Sequence, residues 1–276
     1  MNTRQYIKKP KLAKPWIYFL ATYAWTWFLF GIAYLMGISG ETGGIIGVTL
    51  VLLALSGPTV TAVTLVYVAL NKEGRQDYWR RIIDYKCIPF KWYFVIFLLI
   101  PAISVLAAEI SGYWDIYSIT NKLPSSFLAI LIMLLVPTIE ELGWRGYVQD
   151  RLQEKYNALT SSLILGTLWG FWHLPVFFLQ GSSLSVMSFA SFTFWLYMIN
   201  LIALSICFTW IYNNSARSTL SAILFHITLE FSANTGLIPW DRSEHLYNVM
   251  LWVIVAFGIT VIYGAKTLVR KKSTIM

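Results

Sequence analysis

Charge is what this chain has least of: only 12% of its 276 residues are Asp, Glu, Lys or Arg, about half the fraction of an average soluble domain. Acids are scarcest, with 13 Asp and Glu against 21 Lys and Arg. Two cysteines, Cys87 and Cys207, are too few for a disulfide framework. One falls in a connecting loop and the other in an apolar run, so both read as inert thiols. There is no Pro-, Gly- or Ser-rich linker, no low-complexity segment and no convincing internal repeat. A formal charge of +8 invites a nucleic-acid reading. The cations, however, sit in short clusters between apolar segments, which argues against it.

What the chain has instead is apolar surface, 57% hydrophobic and 17% aromatic. A soluble core of this length cannot absorb that much, whereas lipid can. A bilayer-crossing helix needs about 20 mostly apolar residues. Eight segments qualify: Trp16–Ile38, Ile45–Leu70, Trp92–Ala108, Phe127–Trp144, Leu159–Leu179, Met187–Tyr212, Leu220–Thr235 and Leu246–Ala265. The expected fold class is therefore an all-α polytopic membrane protein. With both termini cytoplasmic and eight crossings, 19 of the 21 Lys and Arg fall on the cytoplasmic side, leaving Lys122 and Arg242 outside. The basic first 15 residues lead into Trp16–Ile38, which lacks a small-residue cleavage pattern and reads as a retained span. The expected location is an integral, multi-pass protein of the cell membrane.

Three regions are expected: residues 1–125 with three spans, 126–236 as the functional core, and 237–276 with the last span and a basic tail. The loop from Asn71 to Lys91 reads as a solvated connector lying against headgroups. Ser56-Gly57-Pro58 marks a kink or a tight helix contact. Tyr147–Tyr156, polar with apolar Val148, Leu152 and Tyr156, reads as an amphipathic cytoplasmic continuation of the fourth helix.

Ionisable residues within spans collect between Glu140 and Glu230. A charge near a bilayer centre costs roughly 2.5–3.5 kcal/mol on insertion scales, so such residues pair and do chemistry. Glu141 and Arg145 are four apart and share a helical face. Glu140, rotated by about 100°, faces elsewhere and is left as a general base for water. His173 lies late in the fifth span, and His226 shares a face with Glu230 in the seventh. His245, beside Glu244 and Arg242 at the outer end of the last span, reads as exposed and outside the site. Polar groups on separate helices have to meet inside the bundle, since facing lipid is the costly alternative. One difficulty is depth, because His173 lies about 22 Å into its span at 1.5 Å per residue, while Glu140 and His226 fall toward the cytoplasmic side.

At these residues the chain resembles the CAAX prenyl-protease type II and bacteriocin-processing family of intramembrane endopeptidases. Its signature, Glu-Glu-x-x-x-Arg, then Phe-x-x-x-His, then His-x-x-x-Asn or Asp, appears as Glu140-Glu141 with Arg145, Trp169 with His173, and His226 with Glu230. Tryptophan replaces phenylalanine and glutamate replaces asparagine. The resemblance implies hydrolysis of a peptide bond within or beside the bilayer. In that reading Glu140 activates water, His173 and His226 hold the water or the oxyanion, and Glu141, Arg145, Trp169 and Glu230 support the site.

An asparagine amide would donate to the oxyanion, a role an ionised Glu230 cannot fill. The alternative is a metal centre, with His173, His226 and Glu230 as a zinc set and Glu140 beside a metal-bound water. The cofactor is thus either absent or one divalent metal such as zinc. The expected partners are a peptide or protein substrate, prenylated or a precursor, and membrane lipid, with no nucleic acid. Two other functions stay open: a proton-coupled transporter, which would more often show repeated halves, and a catalytically silent peptide-binding or immunity relative.

Overall fold

A computed structural model describes residues 3–38, 44–112, 127–182, 184–185, 187–235 and 245–270. Among them the chain is helical throughout, and its one extended pairing is the single bridge between Ile7 and Leu70. The helices are α1 Pro15–Leu35, α2 Gly44–Leu55, α3 Gly57–Ala69, α4 Lys72–Ile83, α5 Phe90–Ser111 and α6 Phe127–Gly143. They continue as α7 Gln149–Gln153, α8 Ala158–Trp172, α9 Phe192–Asn214, α10 Thr219–Asn234 and α11 His245–Tyr263. Local chemistry sets many of these ends. Pro15 opens α1, where its missing N–H costs nothing. Asn71, Asn157, Ser191 and Ser218 cap α4, α8, α9 and α10 by accepting from the backbone three residues on.

Six helical stretches are long and apolar enough to cross a membrane, and the α2–α3 pair, bent by 46°, makes up to seven. The protein is an integral membrane protein. The expectation of eight spans differs at Leu220–Thr235. The helix there, α10, has 16 residues. It is about 24 Å long at 1.5 Å per residue, short of a hydrocarbon core of about 30 Å. The bend between α2 and α3 falls at Ser56-Gly57-Pro58, where a kink or tight contact was expected, and both occur. A Cβ on Gly57 would lie 3.0 Å from the Thr22 carbonyl and would collide with the Thr26 hydroxyl, so glycine is what lets α1 approach.

α9 is the central rod: 78% of its apolar window is buried, against 28–44% for the other single-helix spans. It packs most extensively on α8 and α11, and α10 packs against α5 and α6. The segments before α1 and after α11 are each bonded to the end of another element. Lys8 N donates to Ala69 O at 2.7 Å, and Ala158 N donates to Lys266 O at 3.0 Å. Arg81 of α4 and Arg217, just before α10, both reach Asp150 of α7, so two of the basic segments counted on one side lie together. Lys122 and Arg242, the two counted on the opposite side, lie outside the described residues.

Three expectations are corrected here. The Asn71–Lys91 connector contains α4, whose Asp77, Tyr78 and Arg81 are buried. The continuation after Gly143 is not a surface amphipathic helix either, because Gln149, Asp150, Arg151 and Leu152 are buried. These residues are tolerated because opposite charges meet. Arg81 bridges Asp77 at 3.1 Å and Asp150 at 3.4 Å. Arg217 pairs with Asp150, and the Tyr212 hydroxyl donates to Asp150 at 2.9 Å. Lastly, His245 is fully buried at the start of α11, not exposed. It does not line the cavity described below, so it stays outside the site.

Candidate active site

The site is built on α6 and the irregular turn that follows. Glu141 and Arg145 do share a face, with Arg145 Nη1 donating to Glu141 Oε1 at 2.7 Å and both side chains wholly buried. His226 Nδ1 lies 2.9 Å from the same Glu141 oxygen, which ties α10 to α6. The Arg145 guanidinium stands 4.0 Å from the Phe208 ring centroid and 5.1 Å from that of Trp169, so aromatic faces stand in for water around the charge. Removing one member of such a buried pair strands the other, at a cost of about 3–5 kcal/mol.

After Gly143 the helix widens into a π turn, Trp144–Val148. Tertiary donors take up carbonyls around it: the Tyr78 hydroxyl donates to Leu142 O at 3.1 Å, and Arg81 Nη2 to Gly146 O at 2.9 Å. The turn swings the Trp144 indole back so that its Nε1 approaches Glu140 Oε2 at 3.3 Å. Trp169 Nε1 donates to the same oxygen at 2.9 Å. Glu140 faces away from Glu141, as expected. It is not left without partners, however, because two indoles hold it.

His173 caps the C-terminal end of α8, where Pro175 opens a short 3-10 turn, Leu174–Phe178. Its Nδ1 lies 2.8 Å from the Trp169 carbonyl, which can only accept, so Nδ1 carries the hydrogen. His226 likewise commits Nδ1 to a carboxylate that also takes Arg145. Both Nε2 atoms are then the ones open to chemistry.

Glu140, Trp169, His173, His226 and Glu230 line one cavity of about 210 Å³, together with apolar side chains including Leu55, Val136, Leu201 and Leu229. Polar groups predicted on separate helices are thus brought together. Glu141 and Arg145 stand behind this wall and hold His226. The depth difficulty resolves through the continuation of the fourth helix. Glu140 lies 13 residues before the end of the Phe127–Gln153 span and His173 15 residues after the start of α8. The two run antiparallel from the same turn and reach similar depths, about 20 Å and 22 Å at 1.5 Å per residue.

Among the described residues no three His, Cys, Asp or Glu side chains converge on one point. Glu230 Oε1 is 4.0 Å from His226 Nε2, and its Oε2 accepts from Asn234 Nδ2 at 3.1 Å. Sequence reasoning missed Trp144, Tyr197 and Asn234, the last two of which line the cavity. An aromatic residue with a polar tip inside a span, or an amide one turn beyond Glu230, was the available signal, but neither says which way the side chain turns.

Comparison with known proteins bears out the resemblance. Residues 122–232 match the family model described as Type II CAAX prenyl endopeptidase Rce1-like. The chain is also 28% identical over 265 residues to CAAX prenyl protease 2 of Methanococcus maripaludis, covering 93% of this chain and 96% of that protein. Both matches support a peptidase of the CAAX prenyl endopeptidase type.

Proposed function

We propose that this protein is an intramembrane endopeptidase of the cell membrane that cleaves a prenylated peptide or protein near its C-terminus, with Glu140 as the general base for the attacking water. The observation that carries this is the meeting of the Glu140 carboxylate with His173 and His226 at one partly apolar cavity. In the reaction, water lies between Glu140 and the Nε2 of His173. Its oxygen adds to the scissile carbonyl carbon as its proton passes to Glu140. Glu140 then returns that proton to the leaving nitrogen as the C–N bond breaks. His226, braced by Glu141 and Arg145, stands across the cavity and steadies the water or the oxyanion. The apolar wall at Leu55, Val136 and Leu229 suits a lipidated or otherwise apolar segment. That the relative is named a CAAX prenyl protease supports the same substrate class here.

The step as written runs on protein groups alone, and the metal alternative is separated from it by experiment. Purified protein assayed on a farnesylated, fluorogenic peptide ending in a CAAX sequence tests the proposal. Glu140→Gln is expected to lower kcat by at least about 10³-fold, as removal of a catalytic base does. Dialysis against a chelator, checked by metal analysis, is expected to leave activity in place. Loss of cleavage on stripping, restored by zinc, would return the chemistry to the metal alternative. A second reading, a peptide binder that does not cleave, is favoured by Glu230 standing where a motif amide would be. Binding of the peptide with no product from the wild-type protein would establish it.

A further inference from the structure

We propose that Glu230 is a specificity-determining residue, which reads a basic side chain of the substrate beside the scissile bond. This rests on the hydrolytic reading above and adds which peptides the site takes. It starts from the helix face that carries His226. Residues 226, 230 and 234 are spaced by four on α10, so they share one face, and all three line the cavity. Exposure climbs along that face. The His226 side chain is 3% exposed and that of Glu230 33%, while Asn234 is exposed. The cavity is thus more open toward the Asn234 end of α10 than at His226. A peptide entering from there meets Glu230 before it reaches Glu140, which is buried.

Charge fixes what that position can read. The wall carries two carboxyl groups, Glu140 and Glu230, and among the described residues no Lys or Arg lines it. Arg145 is paired with Glu141 behind the wall. The Glu230 carboxylate is held in place, because Asn234 Nδ2 donates to its Oε2 at 3.1 Å and to its backbone oxygen at 2.8 Å. Its Oε1 stands 4.0 Å from His226 Nε2, too far for a hydrogen bond between them. A fixed carboxylate partly out of water, beside apolar Leu229 and Ala233, attracts a cation more strongly than one in bulk solvent. The amide of the family motif carries no charge and could not select in this way. Lysine or arginine is the side chain that fits, its N–H donating to Oε1, and an acidic residue at the same place is repelled.

Lysine walked through the positions flanking the scissile bond of the farnesylated fluorogenic peptide tests this. Norleucine, which matches the lysine stem without its charge, is the reference at each position. At one position or more, the wild-type protein is expected to prefer lysine by about ten-fold in kcat/KM, the lower range for a hydrogen bond to a charged group. Glu230→Gln keeps the size and can still accept from Asn234, and it should bring that ratio to about one. Glu230→Lys should favour glutamate at the same position instead. No lysine preference anywhere, or one that survives Glu230→Gln, would overturn the assignment while Glu140→Gln still upholds hydrolysis. A wild-type protein that cleaves none of these peptides overturns the hydrolytic reading. Stronger binding of the lysine peptide, lost in Glu230→Gln, would then keep the recognition, and equal binding would end it.

Discussion

Glu140 owes its position to aromatic side chains more than to other charges. Its Oε2 takes both indole N–H groups, from Trp144 and Trp169, at 3.3 and 2.9 Å. A hydrogen bond to a charged group contributes about 1.5–3 kcal/mol. Losing one should let the carboxylate swing out of line with the water. Trp169→Phe isolates this, because it deletes the N–H and leaves the backbone carbonyl that orients His173. The expected result is a fall in kcat of about 10-fold or more with KM little changed. Unaltered turnover would show that Trp144 and packing suffice. The motif position usually held by phenylalanine thus carries a polar duty here, and the sequence alone could not tell this from a packing substitution. The pairing of Glu141 with Arg145 was legible, because a spacing of four on a helix dictates it. That His226 joins the same carboxylate was not, since residues 85 apart meet only through tertiary packing.

At the scale of elements, the site depends on how closely α3 can approach α6. A Cβ on Gly143 would run into the Tyr18 hydroxyl and the Pro58 carbonyl, and the latter is backbone that cannot step aside. Thr59 adds a hydrogen bond to the Ile139 carbonyl along the same seam. Gly143→Ala should therefore cost about 1–3 kcal/mol of stability, as overpacking does. Gly258→Ala in α11, where a Cβ would meet nothing within 4 Å, should be neutral or gain up to about 1 kcal/mol from helix propensity. Paired thermal melts in detergent measure the contrast, and equal melting temperatures would refute the tight seam. Helix positions and the break at Gly57 could be read from hydropathy and Gly-Pro chemistry. The π turn at Trp144–Val148 could not, because its displaced carbonyls are met by Tyr78 and Arg81 from α4. The same residues explain why a stretch read as a solvated connector is half buried. Charged side chains look solvated in sequence until their counter-charges, here Asp150 and Arg217, are known to arrive from other helices.

For the whole molecule, the meeting of α4, α7 and Arg217 at one pole makes sidedness testable at a native residue. Cys87 follows α4 near that pole and is partly exposed, whereas Cys207 on α9 is fully buried. If the basic pole faces the cytoplasm, as charge asymmetry requires, a membrane-impermeant maleimide should leave intact cells unlabelled. It should mark Cys87 once the membrane is opened, and reach Cys207 only after denaturation. Rate as well as side is predictable. The Cys87 thiol donates to Asp84 Oδ2 at 3.1 Å, and that hydrogen bond, with a smaller effect of burial, raises its pKa above the ordinary thiol value. Raising the pKa lowers the thiolate fraction at neutral pH, and the thiolate is the species that reacts. Labelling of opened membranes should therefore speed up as pH is raised, and Asp84→Asn should speed it up at neutral pH. Labelling of Cys87 on intact cells would place the basic pole outside. The cavity, about 20 Å from the end of α7 along the Phe127–Gln153 stretch at 1.5 Å per residue, would then be placed on the opposite side of the bilayer midplane.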